Sequence, residues 1–169
     1  MQRPLVSERG TSVRQAQCRI YSKVLIPVDG SAASMAGVHE ATRIATIQQA
    51  EFRLLHIADE FHWNDTFEPG TVGRTIIETI REEGKRILRD ATNVLAAYGL
   101  VAECHLIDSH GGRAASRIIH EAAEWPADII VMGTNGRRGI ARWAFGSSAD
   151  EVSRASSVPV LLVRAGIRN

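Results

Sequence analysis

The chain is poor in the residues that mark specialised chemistry. It has two cysteines, Cys18 and Cys104, in 169 residues. Neither lies in a CxxC spacing, which excludes a disulfide framework and a cysteine metal cluster. Cys104 sits in an apolar run and is expected to be a buried thiol, so a reducing, cytoplasmic compartment fits. The net charge is only +1, and that leaves no overall field to draw nucleic acid or an anionic membrane surface. No apolar run approaches the ~20 residues of a membrane span, and the first twenty residues lack the apolar stretch of a secretory signal. The six histidines are scattered, without the HExxH pattern of a zinc site.

What remains is an ordinary globular composition, 44% hydrophobic and 23% charged, in a chain of single-domain length. Arg3, Arg9, Arg14 and Arg19 lie in an opening stretch with little apolar periodicity, so residues 1–20 read as a disordered extension and residues 21–165 as the domain. Short apolar runs at 23–28, 52–57, 101–107, 128–132 and 158–163 read as strands. Stretches of 3.6-residue periodicity lie between them: 32–47 after a Ser31 cap, 75–98 ended by Gly99, 113–124 and 147–155. Residues 58–74, with Phe61, Trp63 and Phe67, read as a long loop. Continuous apolar strands alternating with helices predict an α/β domain with a five-stranded parallel sheet covered on both faces.

One segment carries most of the chemical information: Met132 to Ser148, which follows the fourth strand and opens the last helix. Gly133 and Gly136 are expected to let the backbone approach a ligand and to take positive φ. Gly146 and Ser147 begin a helix whose N–H groups and positive dipole end form an anion site. Arg137, Arg138 and Arg142 add positive charge, although the same arginines fit a solvated face. The segment is neither a GxxxxGK[ST] phosphate loop nor a GxGxxG dinucleotide fingerprint.

The spacing Gly133-x2-Gly136-x9-Gly146-Ser147 resembles the G-x2-G-x9-G-[ST] pattern of the ATP-binding members of the universal stress protein family. The segments KVLIPVDGS, LLHIAD, DIIVMGTNGRRG and SVPVLLVR are similar to that family's first, second, fourth and fifth strands with their flanking turns. The resemblance implies an open parallel sheet of order 3-2-1-4-5 and a nucleotide in the crevice between strands one and four, at the switch point of the sheet. It implies Pro27 and Val28 at the base pocket, Asp29 beside adenine and ribose, backbone recognition of adenine at Ile57, and Met132 against the base. Gly133, Gly136, Gly146, Ser147 and Ser148 would cradle ribose and phosphates. Each also has a plainer reading, with Asp29 as a turn or capping residue and Ile57 and Met132 as core. Family members often carry Val-Thr or Val-Ser after the Gly-Ser pair, where this chain has Ser148-Ala149.

The function expected is that of an ATP- or AMP-binding stress regulator or sensor. A slow ATP hydrolase is one alternative, although Asp29 and Asp150 are the only nearby acids for Mg2+. A dimeric interaction module that uses no nucleotide is the other. The strand Val158 to Val163, placed at the sheet edge by the resemblance and opened by Pro159, is expected to pair two copies of the chain.

Overall fold

Among the described residues nine elements alternate: β1 (Lys23–Pro27), α1 (Ala32–Ala45), β2 (Glu51–Ala58), α2 (Thr71–Ala96), β3 (Ala102–Asp108), α3 (Ala114–Glu124), β4 (Ile129–Gly133), α4 (Ser147–Ala155) and β5 (Val160–Val163). The computed structural model describes residues 21–45, 50–58, 71–109, 112–135 and 146–166. The strands form one five-stranded parallel sheet of order β3-β2-β1-β4-β5, the order expected. The N-terminal extension 1–20 and most of the aromatic loop, with Phe61, Trp63 and Phe67, lie outside the described residues.

The continuous apolar strands have a simple cause: alternate residues enter two different cores. Val24, Ile26, Phe52, Leu54, Ile129 and Val131 face one cluster, which α1 and α2 close with Val38, Ala41, Ile87 and Leu95. Leu25, Leu55, Ile130 and Met132 face the other, closed by α3 and α4 through Ala115, Ile118, Ala149 and Val152. Most of these side chains are fully buried. At about 1.5–3 kcal/mol for each fully buried Val, Leu or Ile, the two layers dominate the stability of the fold.

Local signals set the element ends. The Ser34 N–H donates to the Ser31 hydroxyl at 3.1 Å, the N-terminal cap of α1. At the end of α2, Gly99 takes φ 72°. Leu100 N–H donates to the Leu95 carbonyl (3.1 Å) and Gly99 N–H to the Ala96 carbonyl (2.9 Å), a Schellman closure.

Three expectations need correction. Helix α2 begins at Thr71, one turn before the expected Thr75. Strand β5 begins at Val160 rather than Val158, because Pro159 has no N–H to give and contributes only its carbonyl, which accepts from Ile130 N–H at 3.0 Å. Cys104 is exposed rather than buried, since β3 is an edge strand; its sulfur lies 3.2 Å from the Thr92 hydroxyl.

Candidate functional site

The carboxyl end of β1, at the centre of the sheet, is where both of its ladders stop. Glu51 N–H bonds the Ser22 carbonyl and Val28 N–H bonds the Leu55 carbonyl, while Asp128 N–H bonds the Lys23 carbonyl. Even-numbered residues of this strand therefore turn their backbone groups to β2, and odd-numbered ones turn theirs to β4. Pro27 falls where the next rung to β4 needs an N–H, and it has none. Pairing with β4 ends at Leu25↔Ile130, and the two strands part.

On the other side, pairing with β2 ends at Pro27↔Leu55, while β2 continues against β3 to Ala58↔Asp108. Leu55 directs its carbonyl to β1 and Ala58 directs its own to Ser109 N–H beside β3. By alternation the N–H and C=O of Ile57 point to the side where β1 has ended.

The turn after β1 is internally bonded. The Asp29 carboxylate accepts the Ser31 N–H at 3.0 Å, and Asp29 N–H donates to the Ser34 hydroxyl at 3.3 Å. Gly30 takes φ 79°. Asp29 is thus a turn residue, as its plainer reading has it, and it also faces the cavity described below.

The segment after β4 is pinned at both ends. Thr134 N–H bonds the Val163 carbonyl at 2.8 Å, and the Thr134 carbonyl takes Gly146 N–H, also at 2.8 Å. The Ser31 hydroxyl donates to the Asn135 carbonyl at 3.3 Å. Gly146 is the N-cap of α4, and among the described residues no side chain caps the helix. Ser147, Ser148 and Ala149 form its first turn, whose N–H groups lie outside the helix's own ladder and carry the positive dipole end. Ser147 is therefore the first helical residue and not the cap.

Gly133 requires a correction. Among the described glycines only Gly30 and Gly99 have positive φ, so conformational freedom is not what position 133 needs. It needs space. A Cβ there would lie 2.5 Å from the Ala33 carbonyl carbon and 2.6 Å from Ser34 N. The glycine lets the start of α1 settle on β4, a packing requirement before any ligand is considered.

These segments enclose a cavity of about 610 Å³ at the carboxyl ends of the strands. Nine of the twelve residues singled out in the sequence line it: Pro27, Val28, Asp29, Ile57, Met132, Gly133, Gly146, Ser147 and Ser148. The other three, Gly136, Arg137 and Arg138, lie outside the described residues, as does Arg142. Its lining includes the buried apolar side chains of Val28, Met132 and Ile118 and, from α4, the first turn Ser147 to Ala149. A second groove, of about 730 Å³, runs between α1 and Val163–Arg164 and holds none of the twelve.

Sequence reasoning missed part of the lining. Thr79, Ile80 and Glu83 of α2 face the cavity, on a helix that carries no ligand-binding pattern in the sequence. Glu83 is gripped at both oxygens by Arg86, at 2.8 Å each, and this pair holds the Arg86 pKa above its usual value. His56 was missed too, as a lone histidine inside a strand. It is buried, and its Nδ1 lies 2.7 Å from the Val28 carbonyl. Among the described residues no three His, Cys, Asp or Glu side chains cluster as metal ligands. Asp150 faces Arg154 at 3.0 Å and is not in the cavity wall.

Residues 20–164 match the model of the Universal stress protein family. A universal stress protein of Bacillus subtilis, YxiE, is 32% identical over 151 residues, covering 86% of this chain and all of that one. Among solved structures, the universal stress protein of Archaeoglobus fulgidus in complex with dAMP superposes with a TM-score of 0.63 at 22% identity, over 85% of this chain and 98% of that one. A family protein of Arabidopsis thaliana with AMP bound gives 0.63 at 14% identity, over 86% and 93%. At such identities the structures speak for the fold. The family match covers most of the chain, and the chain belongs to the universal stress protein family.

Proposed function

We propose that the cavity binds an adenine nucleotide, ATP or AMP, and that the protein is a stress-response regulator or sensor whose state depends on the bound nucleotide, acting in the cytoplasm. The observation that carries this reading is the convergence of Pro27 to Asp29, Ile57, Met132–Gly133 and Gly146 to Ser148 on one cavity at the switch point of the sheet. In this reading the base lies between Val28, Ile57 and Met132, with Asp29 at the ribose. The phosphates lie on the first turn of α4, joined by Gly136, Arg137 and Arg138 and by any Mg2+ the phosphates bring. The dAMP and AMP carried by the two solved relatives are of the same ligand class.

Rapid hydrolysis is not expected. Helix-terminal N–H groups bind substrate and transition state alike, and uniform binding does not accelerate chemistry. Mass spectrometry of small molecules released by denaturing the purified protein tests the proposal directly: an adenine nucleotide at near-stoichiometric amount is expected. Its absence, together with no heat of ATP or AMP binding in calorimetry, would move the protein to the class of interaction modules.

The assembly proposed is a homodimer through β5. This strand is at the sheet edge, and its four apolar residues are all partly exposed. An unpaired apolar edge invites a second copy, and two-fold antiparallel pairing satisfies both edges. Light scattering at micromolar concentration should give twice the chain mass, and Leu161→Asp should return it to one.

A further inference from the structure

We propose that His56 is a positioning residue that holds the base-reading edge of the cavity open, a role that rests on reading the cavity as an adenine-nucleotide site. In a regular parallel ladder, the rung after Val28 N–H to the Leu55 carbonyl joins Ile57 N–H to the Val28 carbonyl. Here that carbonyl receives the His56 ring at 2.7 Å. A carbonyl can only accept, so Nδ1 carries the proton and donates. The side chain takes the acceptor that the backbone of its own neighbour would use, and Ile57 keeps both its N–H and its C=O on the cavity side.

One donor and one acceptor on a single strand residue complement adenine, whose N1 accepts beside an amino group that donates. Hypoxanthine and guanine reverse that pattern, with a donating N1–H beside an accepting oxygen. A pair fixed in the backbone cannot rotate to suit them, and mispairing leaves buried polar groups unsatisfied. His56 thereby governs base choice through the backbone of Ile57.

The ring is held in place from behind. His56 is buried, and a Cβ on Gly84, in the middle of α2, would come within 2.7 Å of His56 Cδ2 and 2.7 Å of Leu106 Cδ1. Glycine weakens a helix interior. At this position it leaves room for the imidazole between β2 and α2, and the ring's distance from Val28 is set by that packing.

Amide hydrogen exchange of the nucleotide-free wild type is the first test. Ile57 N–H should exchange about tenfold or more faster than the ladder amides of Leu55 and His56, and become protected when AMP is added. In His56→Leu the Ile57 amide should be protected without ligand, AMP affinity should fall about tenfold, and the preference for AMP over IMP should vanish. His56→Asn, which puts an amide N–H near the place of Nδ1, should restore both. An Ile57 amide as protected in the free wild type as its neighbours would overturn the proposal, whether or not the leucine variant folds. So would a folded His56→Leu with unchanged AMP affinity and preference. If the wild type binds neither AMP nor ATP, the nucleotide reading fails, while exchange at Ile57 still decides the arrangement of His56 and Val28.

Discussion

The two ends of the sheet treat polar groups in opposite ways. At the amino end they are turned on one another. Arg53 of β2 reaches Glu121 of α3 at 2.7 Å and Glu103 of β3 at 2.6 Å, while His105 Nδ1 approaches the same Glu121 carboxylate at 2.8 Å. The Arg53 guanidinium lies 4.6 Å from the centre of the Trp125 ring, with Lys23 at 5.3 Å. One oxygen of Asp128 accepts from Ser22 N–H, the Ser22 hydroxyl and Lys23 N–H, all within 2.9 Å. At the carboxyl end the ladders stop, and the backbone of Ile57 and the first turn of α4 face a cavity. A parallel sheet whose strands are locked at one end can part them at the other; stability and binding are divided along the strand direction.

Gly133 is the position where this division fails, and it carries the largest effect expected. Gly133→Val drives a side chain into the backbone of Ala33 and Ser34, so it should cost the fold about 3 kcal/mol or more, at or beyond the upper range for overpacking. Gly146→Val is the contrast. Its φ of −59° and ψ of 150° suit any residue, so denaturant stability should change by less than about 1 kcal/mol while ATP binding is lost. Equal stability of the two variants would return Gly133 to a purely ligand-facing role.

How much of this was legible in the sequence follows from the range of the signals. The parallel sheet rests on local patterns, namely apolar runs, the Ser31 cap and Gly99, and the glycines spaced along one segment point to the loop after β4. The strand order and the places of Pro27, Val28, Asp29, Ile57 and Met132 rest on the resemblance to the universal stress protein family. What escaped depends on contacts between distant residues. Glu121 sits on the apolar face of α3 and is buried, yet its partner Arg53 is 68 residues away. His56 and Val28 are 28 residues apart. The need for glycine at 133 is visible only when α1 lies across it. Periodicity records which residues are buried on average; it does not name the polar partner that makes a particular burial tolerable.

Removing the amino-end network should therefore leave the binding end untouched. In Arg53→Met the Glu121 carboxylate, 8% exposed, keeps His105 but loses its permanent cation. Breaking a buried pair costs about 3–5 kcal/mol, and the surviving histidine contact and the open rim at Glu103 bring the expectation to about 2 kcal/mol. Chemical denaturation measures that loss. Calorimetry on the same variant should give wild-type ATP affinity; a parallel fall would mean that the two ends of the sheet are coupled.

The smallest effect expected is a pH dependence confined to the same network. Burial of Glu121 opposes its charge, but the hydrogen bonds from His105 and Arg53, and their positive charge, outweigh it and hold its pKa below the ordinary value of 4.5. A carboxylate with a depressed folded-state pKa stabilises the fold fully above its unfolded value, and that contribution is lost as pH falls through the folded value. The stability difference between wild type and Glu121→Gln should therefore shrink as pH falls below about 4.5. Urea midpoints for both proteins across acid pH measure it. A difference that stays flat into strong acid would mean the carboxylate is not the charged partner of Arg53.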